Sequence, residues 1–261
     1  MLIPEDSPLR LLPTDLSRRQ VLYFDGIRYA AEMVNLAYNR LFAQLMEIGA
    51  TNRDVTTLDI ATAMLDAWSI VDSTNRFRDL VEQTPGLRKK PWKHILLAHT
   101  SEVDDMRNDI QHMENNISNL ADNGRQVWGY LRWAQMNNGS YTGWWYAMTP
   151  GSVFRADQFM EVGPMNLPYG VPPGAIRLMA FGKDVYLGKC VTAIVTAVEA
   201  IVGEIKNGEV PLIGGPAHDE RAGGDTIYEM AIEVLTKTEV QTDPYLTAEL
   251  DRQSARLLEP E

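Results

Sequence analysis

EVDDMRNDIQHMENNISNL (Glu102–Leu120) carries Val103, Met106, Ile110, Met113, Ile117 and Leu120 at steps of 3, 4, 3, 4 and 3. On a helix turning about 100° per residue, that alternation keeps one apolar stripe on one side, the stripe that faces a core. Asn108 and His112 fall about 160° to either side of Ile110, hence about 40° apart on the opposite face. Asp105, Asn115 and Asn119 join them there. Arg107 is only about 60° from Ile110 and about 140° from His112, so only its long stem could bring the guanidinium toward the imidazole. Five asparagines lie between Asn108 and Asn123. Asparagine is a poorer helix former than the Glu, Lys and Gln that usually fill a solvated face. The face therefore reads as solvent-exposed or as a polar contact surface.

Upstream, two more segments have helical periodicity. The first, from about Asp15 to Ile48, carries Phe24, Ile27, Ala30, Ala31, Val34, Leu41 and Leu45, with Thr14 or Asp15 as N-cap and Gly49 as stop. The second, from about Arg53 to Gln83, carries Leu58, Ala61, Leu65, Trp68, Val71, Phe77, Leu80 and Val81 and closes at Pro85-Gly86. A third, containing the opening stretch, is expected from about Trp92 to Ala121 as one continuous helix. Each is about 30 residues long, against an ordinary mean of roughly 11–12. The short connections predict antiparallel neighbours.

Beyond Gln126 the pattern changes to aromatic and β-branched runs, "QVWGYLRWAQM", "GWWYAMTPGSVF" and "AIRLMAFGKDVYL", separated by turn chemistry such as "NNGSYTG" and "FGKD". Residues 126–187 are read as several short antiparallel strands, holding Trp128, Trp133, Trp144 and Trp145. "LGKCVTAIVTAVEAIVGEIKNG" predicts a further helix ending at Gly208, although its β-branched content also permits a strand. "GDTIYEMAIEVLTK" is ambiguous between helix and strand, and the polar tail after Thr238 is expected to hold a short surface helix. The expected architecture is mainly α: an antiparallel up-and-down helical bundle, with an aromatic-rich antiparallel β segment inserted before the last bundle helix. Its parts are an entry arm (1–14), the bundle (15–125 and 188–207), the β-rich insertion (126–187) and a C-terminal extension (208–261).

The net charge is −11, from 35 acidic and 24 basic residues, so the chain has no global positive excess for a phosphate backbone. The local run "GLRKKPWKH" (Gly86–His94) reads as a solvated loop. No apolar run reaches the roughly 18 residues of a membrane span, and the first residues lack the basic-then-apolar order of a signal peptide. One cysteine, Cys190, excludes an internal disulfide. A cytoplasmic location without membrane contact is expected.

Few other chemical constellations emerge. Asp72 and Arg76 are spaced for a surface ion pair, and with Arg78 could line a groove with the Arg107 helix. His94 and His99 are poorly spaced to chelate from one helix face, and no zinc pattern occurs. The loop "GGPAHDERAGGD" (Gly214–Asp225) offers His218, Asp219, Glu220 and Asp225 among glycines, without a phosphate-binding fingerprint, and reads as a surface loop. No cofactor and no metal site is expected.

Arg107, Asn108, three further residues and His112 on the third long helix resemble the motif of the HEPN superfamily. The surrounding "AWSIVDSTNRFRDLVEQTPGL", "VDDMRNDIQHMEN" and "VWGYLRW" are similar to an uncharacterised bacterial group within it. The resemblance covers roughly residues 15–133, with the helix at 188–207. It implies a helical bundle that dimerises and, in many members, a metal-independent endoribonuclease site shared across the dimer, with roles in stress or defence. By that resemblance Arg107 would hold the scissile phosphate, His112 would act as general base or acid, and Asn108 would position one of them. The residue types suit the chemistry, since histidine titrates near neutrality and arginine presents a permanently charged fork. Two copies across a two-fold axis would also remove the need for convergence within one helix. The alternative is a non-catalytic HEPN-like binding or scaffold protein, with the tryptophan-rich segment as its contact surface.

Overall fold

A computed structural model describes residues 2–51, 54–87, 90–136, 142–151, 157–166 and 175–210. The chain divides into two units, 1–215 and 216–261, and every described residue belongs to the first. The loop at Gly214–Asp225, the ambiguous segment 224–237 and the tail after Thr238 lie outside the described residues, as do Arg88 and Lys89.

Two long helices, α1 (Arg18–Thr51) and α2 (Thr57–Gln83), form an antiparallel pair. Gln44 Nε2 donates to the Asp59 carbonyl at 2.8 Å, Arg40 meets Asp66 at 3.2 Å, and Gly26 lies against Leu80. The N-cap of α1 is Ser17 rather than Thr14 or Asp15. Its hydroxyl accepts the Gln20 N–H at 3.4 Å while Gln20 Oε1 accepts the Ser17 N–H at 3.2 Å, the reciprocal pairing of a capping box. Thr56 and Asp59 repeat this device at α2. The entry arm packs rather than trails, because Ile3, Leu9 and Leu16 are fully or almost fully buried and Arg10 bridges the Ile3 carbonyl to Glu32.

Gly49 does not end α1. The helix continues to Thr51, and Gly49 is where the sheet approaches. A Cβ there would lie 1.9 Å from Gln135 Oε1 and 3.2 Å from Tyr146 Cε2. Gln135 donates to the Met46 carbonyl, and the Tyr146 hydroxyl to that of Gly49. A missing side chain here serves close approach, not chain reversal.

The expected third helix is three helices: α3 (Pro91–His99), α4 (Ser101–Gln111) and α5 (Met113–Asp122). Side chains capture backbone carbonyls at both interruptions. At buried Thr100, the hydroxyl donates to the Leu96 carbonyl at 2.7 Å while Arg78 of α2 donates to the Thr100 carbonyl at 2.8 Å. Past His112, Asn116 Nδ2 donates to the Asp109 carbonyl at 3.2 Å. The apolar stripe weakens accordingly: Val103, Met106 and Leu120 are buried, Ile110 and Met113 are half-buried, and Ile117 is exposed. Nor is Gly86–His94 simply a solvated loop. Leu87 is fully buried, Pro91 opens α3, Lys93 is buried, and Lys90 reaches Glu204 at 3.3 Å.

Strands β1 (Tyr130–Met136), β2 (Thr142–Thr149), β3 (Gln158–Asn166), β4 (Ile176–Ala180) and β5 (Lys183–Tyr186) form one antiparallel sheet in the order β3-β2-β1-β4-β5. Trp133, Tyr146 and Phe159 stack across β1, β2 and β3 at centroid distances of 5.3–6.0 Å. On β1 and β2, the Arg132 guanidinium covers the Trp145 ring at 4.4 Å. The sheet leads directly into α6 (Leu187–Lys206), which stops where Gly208 takes a positive φ. Helices and sheet share one hydrophobic core, from Phe24 and Phe77 through Trp133 and Leu178 to Ile194 and Ile201. The described structure is thus mainly helical with a small five-stranded antiparallel sheet, and none of its helices is long and apolar enough to cross a membrane.

Candidate functional site

Arg107 projects from α4 toward α2. Its Nη1 donates to Gln111 Oε1 at 2.8 Å, and its Nε lies 3.6 Å from Asp72 Oδ1. The latter is an ion pair too long for a hydrogen bond, leaving the buried Nε–H without an acceptor. Asp72 is shared with Arg76, whose Nε donates to its other oxygen at 2.7 Å, the pair expected from their spacing. Two turns further along α2 is Asp79, which accepts from Asn75 at 3.1 Å. Burial pushes the Asp79 carboxyl up and neighbouring Asp104 adds to this, while Arg107 and Arg78 pull it back. Arg107 thus faces a mixed network of Asp72, Asp79, Arg76 and Arg78.

His112 and Asn108 are exposed, and neither side chain has a hydrogen bond or ion pair among the described residues. His112 occupies the joint itself, at φ −109° and ψ 33°, serving as C-cap of α4 and N-cap of α5. Its N–H donates to the Asn108 carbonyl at 3.2 Å. A single continuous wheel therefore does not relate Arg107 to His112. The joint is instead an exposed corner, with an imidazole on it and a guanidinium one and a half turns before it.

Large apolar side chains are exposed on α1 and α2, the second of which carries the Asp72 that pairs with Arg107. On α1, Leu22, Tyr29, Met33 and Leu36 fall within a sector of about 60°, and Leu58 and Leu65 of α2 continue toward Ser69, Asp72 and Arg76. These six are between 51 % and 74 % exposed, far above what a core stripe would show. Arg40, in the α1 sector, crosses to Asp66, so the two stripes flank the α1–α2 seam on one side. Asp72, at the far edge of the α2 stripe, carries the face to Arg107. Sequence periodicity concealed this surface, because Leu58 and Leu65 look like helical core positions until the burial is known.

Among the described residues, no three His, Cys, Asp or Glu side chains assemble a metal site. Cys190 is buried and its thiol is pushed up to about 12, chiefly by burial, which makes it a poor nucleophile. No protein family, curated protein or solved structure matches the chain. The corner must be read from its own chemistry.

Proposed function

We propose that this chain is a HEPN-like protein that self-associates through the α1–α2–α4 face and acts as a metal-independent endoribonuclease at the α4–α5 corner. The observation that carries the reading is the adjacency of Arg107 to a broad exposed apolar face. Six large exposed side chains beside a charged margin are the composition of an interface core with a polar rim. A second copy packed there would bring two Arg107 guanidinia together. The loose pairing of Arg107 with Asp72 keeps its remaining donors available to a phosphate oxygen. In this mechanism His112 removes the 2′-hydroxyl proton as that oxygen attacks the adjacent phosphorus. Arg107 stabilises the charge developing on the phosphoryl oxygens, and Asn108 orients the substrate. The 5′-oxygen leaves with a proton from a second acid, for which the partner's copy of the same imidazole serves.

A second reading is favoured by the intramolecular contacts of Arg107. Engaged with Asp72 and Gln111, it fastens α4 to α2, and the corner serves as a contact surface in a non-catalytic scaffold.

Cleavage of diverse RNAs in the presence of chelator separates the two. The ribonuclease reading expects wild-type cleavage to fall at least about 100-fold in both His112→Ala and Arg107→Lys, each folded by circular dichroism. Equal cleavage by all three assigns the activity to a contaminant, and no cleavage by any leaves the scaffold reading.

A further inference from the structure

We infer that the cleft around Arg125, between the end of α5 and the β4–β5 turn, binds a phosphate ester carrying an aromatic base, a mononucleotide unit. After α5 the chain reverses at Gly124, with φ +59°, and the Arg125 N–H donates to the Leu120 carbonyl at 2.8 Å. This sets the Arg125 side chain against Gly182, where an added Cβ would sit 2.6 Å from a guanidinium nitrogen. Cavities of about 230 Å³ and 120 Å³ open beside it, and Arg125 and Phe181 line both. The larger is somewhat below the roughly 300–1,000 Å³ of drug-sized ligand sites, a space for a small ligand unit.

The charge balance points to an anion. Lys183 is neutralised by Asp109, and Arg177 holds Asp184 at 2.7 Å. Arg125 has no hydrogen bond or ion pair among the described residues, so its fork is the uncompensated charge of the cleft. Neutral donors stand near it. Asn119 already uses its carbonyl oxygen to accept from Asn123 at 2.6 Å, which leaves its amide hydrogens for a ligand, and Gln126 lines the larger cavity. A planar arginine fork with amide donors is suited to phosphate oxygens.

Phe181 points to the rest of the ligand. It and Gly182 form the two-residue β4–β5 loop, both with positive φ, at +53° and +78°. That is the pattern of a type I′ turn, whose first position favours Asn or Asp and is strained for a bulky side chain. The strained phenylalanine meets Trp68 edge-on at 6.4 Å and lines both cavities, with Tyr130 also lining the larger one. Strain kept at a cavity wall is the signature of a functional contact, and an aromatic wall beside a phosphate fork suits base stacking. The inference stands independently of whether the α4–α5 corner cleaves RNA.

Isothermal titration of the full chain with 5′-AMP, and separately with inorganic phosphate, tests it. We expect AMP to bind more tightly than phosphate, and exposed Arg125→Gln to weaken AMP by about tenfold or more. Phe181→Asn, which suits the turn and relieves its strain, should weaken AMP while leaving phosphate unchanged. Absence of AMP binding at millimolar concentration, or equal AMP affinity in wild type and Arg125→Gln, overturns the site. Phosphate binding as tightly as AMP overturns the base-stacking half.

Discussion

Helices α1 and α2 run uninterrupted for 34 and 27 residues, whereas residues 91–122 break into helices of 9, 11 and 10. Both regions carry apolar residues at helical spacing. The difference lies in what is buried. α1 and α2 bury residues along their whole length, while α4 buries only Val103 and Met106, and α5 only Leu120. Where packing holds a stripe against a core, a long helix continues. At His112, where burial thins, Asn116 takes the Asp109 carbonyl and the axis breaks, whereas the joint at Thr100 is itself buried and its carbonyl is held by Arg78 of α2. The break puts exposed His112 on a corner between two helices.

Hydrogen exchange should expose the contrast most strongly. Amides in the middle of α1, around Ala31 and Val34, should exchange only through global opening, slower by about 100-fold or more than those of α5. Equal protection would show that α5 belongs to the same cooperative core. Side-chain truncation sharpens the point. Phe24→Ala should cost about 3–5 kcal/mol in chemical denaturation, while Ile117→Ala, half-exposed on α5, should stay within about 0.5 kcal/mol. A large loss at Ile117 would restore the apolar stripe as a core element.

A smaller effect probes the polar part of the long pair. Asp66 is 3 % exposed, and burial pushes its carboxyl up more than Arg40 pulls it down. The folded state thus holds this proton more tightly than the unfolded one, and the stability linked to Asp66 falls as pH rises from the unfolded value of about 3.8 through the raised folded value. Asp66→Asn should therefore raise Tm by about 2–4 °C at pH 7. The gain should vanish below the unfolded pKa, where both states of the wild type are protonated. A variant less stable than wild type at pH 7 would mean that the Arg40 pairing outweighs the burial.

Much of this fold was legible in the sequence, for reasons that the same contrast explains. The spacing of Phe24, Ile27, Ala31 and Val34 predicts α1, Pro85-Gly86 closes α2, and alternating aromatic runs predict the sheet. All of these are local patterns reinforced by burial. The joints at Thr100 and His112 were not legible, because Arg78 comes from another helix and Asn116 acts across a break that it helps to create. Gly49 misled for a similar reason: a glycine at the end of a periodic run resembles a stop until a sheet is found packed on it. At the candidate site, the types of Arg107, Asn108 and His112 could be read, but their geometry could not. Asp72 as the ion-pair partner of Arg107, and Arg125 with Phe181 across the α5–sheet cleft, depend on tertiary contacts that no spacing encodes.

The central claim, that the α4–α5 corner meets its own copy, is tested most directly by a single cysteine at that corner. Native Cys190 is buried with its thiol pushed up to about 12, so it should stay silent toward a short bifunctional maleimide. His112→Cys at micromolar concentration should then yield a covalent dimer, and Leu36→Glu on the α1 face should abolish it. A chain that is fully modified at position 112 yet remains monomeric would contradict the shared site.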